Sequence, residues 1–138
     1  MSTRPVPANP GPAGEPILVV DDNPAQNKLF SALLERAGHP VRAAADADEA
    51  IALLRTYRPS LILMDIQLPG IDGLTLTRMI KANPSLRDII IVGVTGYGME
   101  EDEAHVRAAG CDGYLSKPID TRALPGVIAS YLHPLVDP

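Results

Sequence analysis

From Pro16 onward, short apolar runs alternate with segments of helical period, five of each, which is the pattern of a repeated strand–helix unit. Residues 17–20, 61–64 and 89–94 are continuous apolar runs, as expected of parallel strands covered on both faces by helices. Residues 41–45 and 111–115 are less apolar and are predicted to be the edge strands. In the first helix, Asn23 suits the cap, Pro24 the first turn and Gly38 the end, with Leu29, Leu33, Leu34 and Ala37 expected on one face. Ala47, Ala50, Ile51 and Leu54 mark a second helix, and Leu76, Met79 and Ile80 a third. A fourth, from about Met99 to Ala109, is nearly devoid of large apolar side chains and is expected to pack loosely. Leu124, Val127, Ile128 and Tyr131 mark the fifth. Pro125 would delete a backbone bond if that helix began at an Asp120 cap, so its start is expected near Leu124.

The chain has 138 residues, 46% of them hydrophobic and 21% charged, which fits one domain with an ordinary core. Twelve Lys and Arg against seventeen Asp and Glu give a net charge of -5, which argues against a general nucleic-acid or anionic-membrane surface. Proteins or small molecules become the default partners. The lone Cys111 rules out an internal disulfide framework and a thiolate zinc module, and it suits a reducing cytoplasm. No apolar run approaches the roughly 20 residues of a membrane span, and no signal-peptide layout opens the chain. Pro5, Pro7, Pro10, Pro12 and Pro16 crowd the first sixteen residues beside Gly11 and Gly14. Residues 1–15 are therefore expected to be a solvated, disordered leader, 16–133 the domain and 134–138 a short tail.

The polar residues that carry chemistry fall where strands end. Asp21 and Asp22 follow the first apolar run, Asp65 the third, Thr95 the fourth and Lys117 the fifth. In an open parallel sheet, ligands bind at the carboxyl ends of the strands, beside the point where the winding reverses. If the first and third strands are neighbours, Asp21, Asp22 and Asp65 converge on one rim, where mutual repulsion favours a hard divalent cation such as Mg²⁺. The plain alternative makes them capping and turn aspartates. Beside a bound cation, Asp65 can act as a nucleophile on phosphorus. Lys117, two strands away at about 4.8 Å per strand, has the side-chain length to reach the same group. Thr95 needs only its hydroxyl, whose ordinary role would be a local backbone bond.

The segments ILVVDDNP, LILMDIQLPGIDG, VTGYG and YLSKP, in that order and spacing, resemble the receiver domain of two-component response regulators over about residues 16 to 133. The resemblance implies a flavodoxin-like α/β fold, a doubly wound (βα)5 unit with five parallel strands in the order 2-1-3-4-5. It implies that Asp65 accepts a phosphoryl group from a histidine kinase or a histidine phosphotransfer protein. It implies that Asp22 and Asp65 bind Mg²⁺ directly, that Asp21 acts largely through water, and that the backbone carbonyl of Gln67 completes the ligands. Lys117 would contact the phosphoryl group, its bond to Pro118 would be cis, and Thr95 and Tyr114 would move together on activation. Position alone would make Tyr114 half-buried packing.

These segments look most like receivers that stand alone or belong to hybrid histidine kinases. Output is then expected through a downstream protein target, with no nucleic acid, no membrane, and a monomer or weak dimer. Pro125 departs from the pattern and puts the regularity of the last helix in doubt. A non-phosphorylated pseudo-receiver is the non-catalytic rival, but such chains usually lack an acid or the lysine. A dehalogenase-type phosphatase would want a second acid where Gln67 stands, and a flavodoxin would want a hydroxyl-rich loop where Asp21 and Asp22 stand. His39, His105 and His133 are scattered and are expected at the surface.

Overall fold

Ile17, Leu18, Val19 and Val20 are all fully excluded from solvent, so β1 (Ile17–Val20) runs through the middle of the molecule. Around it, a computed structural model describes residues 14–96 and 102–133. The other strands are β2 (Val41–Ala44), β3 (Leu61–Asp65), β4 (Ile90–Thr95) and β5 (Gly113–Ser116), and the helices are α1 (Pro24–Arg36), α2 (Ala47–Leu53), α3 (Gly73–Ala82), α4 (Asp102–Ala109) and α5 (Leu124–Leu132). All strand pairs are parallel and the order is β2-β1-β3-β4-β5, the expected doubly wound arrangement with the two weaker strands at its edges.

Alternate residues of each central strand feed two cores. Leu18, Val20, Ile62, Met64 and Ile91 pack with α2, α3 and α4, whereas Ile17, Val19, Leu61, Leu63, Val92 and Val94 pack with α1 and α5. Each such side chain contributes about 1.5–3 kcal/mol when fully buried, which is why these strands tolerate no polar residue before their ends. Asn23, Asp46 and Asp72 cap α1, α2 and α3, each accepting the backbone N–H three residues on. The last helix starts at Leu124 as expected, after a turn in which the Asp120 carbonyl accepts from Ala123 and Leu124, and Pro125 sits in the first turn, where no donor is needed.

Several expectations are corrected. The buried stripe of α1 is Asn27, Phe30 and Leu34, while Leu29 is 45% exposed and Ala37 lies in the exposed cap. A polar Asn enters that stripe because two strand-end carbonyls beneath it need a donor. On α3, Met79 is exposed, and Leu76, Thr77 and Ile80 form the inner face. The fifth strand begins at Gly113 rather than 111, because Asp112 first turns its carboxylate to the Ile91 N–H (2.8 Å) and to Lys81 (3.0 Å). His39 is buried, its Nδ1 2.9 Å from the Glu15 carbonyl oxygen, whereas His105 and His133 are exposed. The leader to residue 13, the tail 134–138 and the expected start of the fourth helix at Met99 lie outside the described residues. Among the described residues no helix is long and apolar enough to cross a membrane.

The chain leaves β3 in a loop that folds back so tightly that the Gly73 N–H donates to the Ile66 carbonyl at 3.0 Å. A Cβ at Gly73 would collide with the Asp65 carbonyl oxygen and lie 2.8 Å from Ile66 Cα. Because the obstacle is backbone, little can give way, and Gly73→Ala should cost about 2–3 kcal/mol, the upper part of the overpacking range. Urea denaturation measures this directly; a loss under about 0.5 kcal/mol would mean the loop does not brace the end of β3.

Candidate functional site

The register of β1 against β3 pairs Ile17 with Leu61 and Val20 with Met64, and one further step carries Asp21 to the level of Asp65. Both acids are buried, and the exposed Asp22 adjoins them. Each of the three offers a carboxylate oxygen, and these oxygens all lie within 4.8 Å of one another. Burial pushes the Asp21 carboxyl up from its ordinary 3.8 to about 6; the Asn23 N–H opposes the rise, and the Asp65 charge adds to it. Asp21 Oδ1 accepts from that N–H at 2.9 Å, and its own N–H donates to the Ala44 carbonyl at 3.0 Å.

Asp65 is held from two sides. Its Oδ1 accepts the Gln67 N–H at 2.9 Å, and Lys117 Nζ stands 3.7 Å from its Oδ2 as an ion pair. Lys117 is fixed by its own N–H, which donates to the Thr95 carbonyl at 2.8 Å, and by a cis bond to Pro118. Thr95 is buried at the same rim, but its hydroxyl donates across to the Leu115 carbonyl at a long 3.4 Å. Such a bond is weak. Gly93 pairs with Tyr114 and Thr95 with Ser116, so Tyr114 lies diagonally from Thr95 on the same sheet face. The Tyr114 hydroxyl donates to Glu103 Oε1 on α4 at 2.9 Å.

Asp21, Asp22, Asp65 and Lys117 therefore converge, Thr95 borders them, and Tyr114 stands on the α4 side. Sequence reasoning missed Asn27. Its Nδ2 donates at 2.9 Å to both the Asp21 and Ala44 carbonyls, tying α1 to the ends of β1 and β2. The only available signal was a polar residue four after the Asn23 cap, in step with Phe30 and Leu34. A cleft of about 400 Å³ opens beside Asp21 and Asp22, bordered by Lys28, Ser31 and Glu49. A buried carboxylate flanked by acids and one lysine suits a hard cation and an electrophilic, oxyanionic substrate such as a phosphoryl group.

The raised Asp21 carboxyl sets a pH dependence of folding in chelator. Below its ordinary 3.8 the group is protonated folded or unfolded and costs nothing; as pH rises, the unfolded chain ionises first and stability falls, until the cost is complete above about 6. Asp21→Asn keeps the oxygen that accepts from Asn23 but removes the charge. It should stabilise the metal-free protein by about 2–3 kcal/mol above pH 6.5 and by little near pH 4. Urea midpoints across that range decide it; an equal gain at both ends would contradict the assignment.

The chain matches the response regulator receiver domain over residues 17–129. It is 41% identical over 116 residues to the polar-differentiation response regulator DivK of Brucella anthropi, covering 84% of this chain and 94% of the relative. A putative response regulator from Chloroflexus aurantiacus superposes with a TM-score of 0.82 at 29% identity, covering 86% of this chain and 98% of that one. The receiver domain of a sensor histidine kinase from Pseudomonas aeruginosa, solved with a magnesium ion coordinated in its active-site cleft, gives 0.78 at 32% identity, covering 86% and 98%. With its fold, its strand order and a family match that spans most of its length, the chain belongs to the receiver domains of response regulators, the signalling modules of two-component systems.

Proposed function

We propose that the unit spanning residues 16–133 accepts a phosphoryl group on Asp65 from the phosphohistidine of a histidine kinase or a histidine phosphotransfer protein, and signals to a downstream protein target. The observation that carries this reading is the pinning of one buried carboxylate: Gln67 N–H holds Oδ1, which leaves Oδ2 on the side of the Lys117 ammonium. In the transfer, an Asp65 oxygen forms a bond to phosphorus as the phosphorus–nitrogen bond to the imidazole breaks, and the ring leaves with that electron pair. Lys117 reaches the site from β5 and can follow the charge onto the new phosphoryl oxygens. The unit is thus a signalling module that catalyses only its own phosphorylation and dephosphorylation.

The residues present fit Mg²⁺. Asp21, Asp22 and Asp65 supply clustered hard oxygens, one of them raised in pKa by burial in the absence of a cation, and the Gln67 carbonyl follows Asp65 closely enough in the chain to join them. Held by these residues, a magnesium ion would neutralise the carboxylates and the incoming phosphoryl oxygens. The Pseudomonas aeruginosa neighbour, with magnesium in its cleft, supports the same use of this cluster. Once Asp65 carries a dianionic group, Thr95 can give up its weak bond to Leu115 for a phosphoryl oxygen, and Tyr114, on the same face, follows toward the space so altered. The lone, buried Cys111 and the net charge of -5 suit a cytoplasmic protein that binds proteins rather than nucleic acid.

Incubation with acetyl phosphate and Mg²⁺ should add one phosphoryl mass to the intact protein, and Asp65→Asn should abolish it. Equal labelling of that variant, read by mass spectrometry, would place the acceptor elsewhere.

A further inference from the structure

On an edge strand, a half-buried tyrosine needs something to hold it, and Tyr114 is held by α4. Its hydroxyl donates to Glu103 Oε1 at 2.9 Å, while Glu103 Oε2 accepts from Arg107 Nε at 3.3 Å. The guanidinium of Arg107 in turn lies over the Tyr114 ring, 5.7 Å from its centre and within cation–π range. The three side chains close a ring in which each touches the other two. Glu103 and Arg107 stand four apart on α4 with the acid N-terminal, the favourable order for such a pair. The hydrogen bond from Tyr114, and after it the contact with Arg107, hold the Glu103 carboxyl below its ordinary range.

This cluster matters because α4 carries few apolar anchors. Among its described residues only Val106 and Ala109 are buried hydrophobics, so a polar contact at its surface is part of what ties it to β5. Being half-exposed, the contact is weak and can open at small cost. Tyr114 shares a sheet face with Thr95, and any swing of its ring toward that residue must break the bond to Glu103 and uncover the ring from Arg107. We propose that Glu103 and Arg107 are positioning residues that latch Tyr114 to α4 in the resting protein and so set how readily the domain passes to its phosphorylated arrangement. This rests on the reading of Asp65 as phosphoacceptor and Tyr114 as the moving residue. It adds the groups on this chain that oppose the movement.

The test uses the full chain with Glu103→Ala, Arg107→Ala and Glu103→Gln, which keeps an acceptor for Tyr114 but no charge for Arg107. Two quantities are read: the Tyr114 ring resonances before and after beryllofluoride, a phosphoryl mimic, and the rate of labelling by acetyl phosphate with Mg²⁺. Glu103→Ala should move the resting Tyr114 resonances toward their beryllofluoride position and speed labelling about three- to tenfold, with Glu103→Gln between it and wild type. Resting resonances and rates within about twofold of wild type in both alanine variants, while wild type still labels and responds, would overturn the latch alone. A wild-type chain that neither labels nor responds would overturn the phosphoacceptor reading. In that event the contact itself is still scored by the Glu103 carboxyl titration, which rises toward the ordinary range in Tyr114→Phe if the latch forms and stays put if it does not.

Discussion

The parallel register of β1 on β3 forces Asp21 level with Asp65, and most of the site follows from that one alignment. Two buried carboxylates with a third beside them are an unfavourable arrangement without a cation: burial above all, and the Asp65 charge after it, raise the Asp21 carboxyl. What sustains the arrangement is the fully buried apolar run behind each acid: sliding either strand by one residue would swap the side chains that fill the two cores and draw its acid inward or out of line with the other. Around the acids, the chain supplies donors where it can. Asn23 N–H meets Asp21, Gln67 N–H meets Asp65, and Lys117 reaches Asp65 from two strands away. The remaining excess of negative charge is what a divalent cation would use, and such a cation would in turn offset the charge of an incoming phosphoryl group.

The two sides of the molecule are built to different standards. At β1 and β2, Asn27 bridges two strand-end carbonyls from a buried position, so the acid pair is anchored by bonds that are costly to lose. At β4 and β5, the side chains expected to move are held by a 3.4 Å bond from Thr95 and by a half-exposed cluster on a helix with few buried anchors among its described residues. A firmly anchored acidic rim facing a more weakly held helix is the distribution the proposed switch requires, because the chemical event must leave its own site intact while shifting another.

Much of this was legible in the sequence because the strongest signals were also the most local. Continuous apolar runs marked the central strands, the acids fell directly after them and Lys117 after the weaker edge strand β5, so strand order alone brought them together. What was not legible depended on contacts between elements. Apolar periodicity assigned Leu29 and Met79 to inner faces, because it could not register that Asn27 and Thr77 occupy those faces. Thr77 is accommodated by donating to the Gly73 carbonyl, and Asn27 by serving two strands at once. His39 read as surface for the same reason: its burial rests on the Glu15 carbonyl, 24 residues away. Glu103 and Arg107 were readable as a helical pair, but nothing local showed that Tyr114 completes it.

The acids at the rim are proposed to act together as one cation site. Titration of wild type and Asp22→Ala with Mg²⁺, following backbone amide shifts, tests this directly, since Asp22 is exposed and its replacement leaves the buried alignment in place. Wild type should show saturable shifts near residues 21, 65 and 117, and Asp22→Ala should bind at least about tenfold more weakly, as expected for removal of one charged oxygen ligand. Saturation at the same Mg²⁺ concentration in both proteins would contradict the claim that the cluster is the cation site.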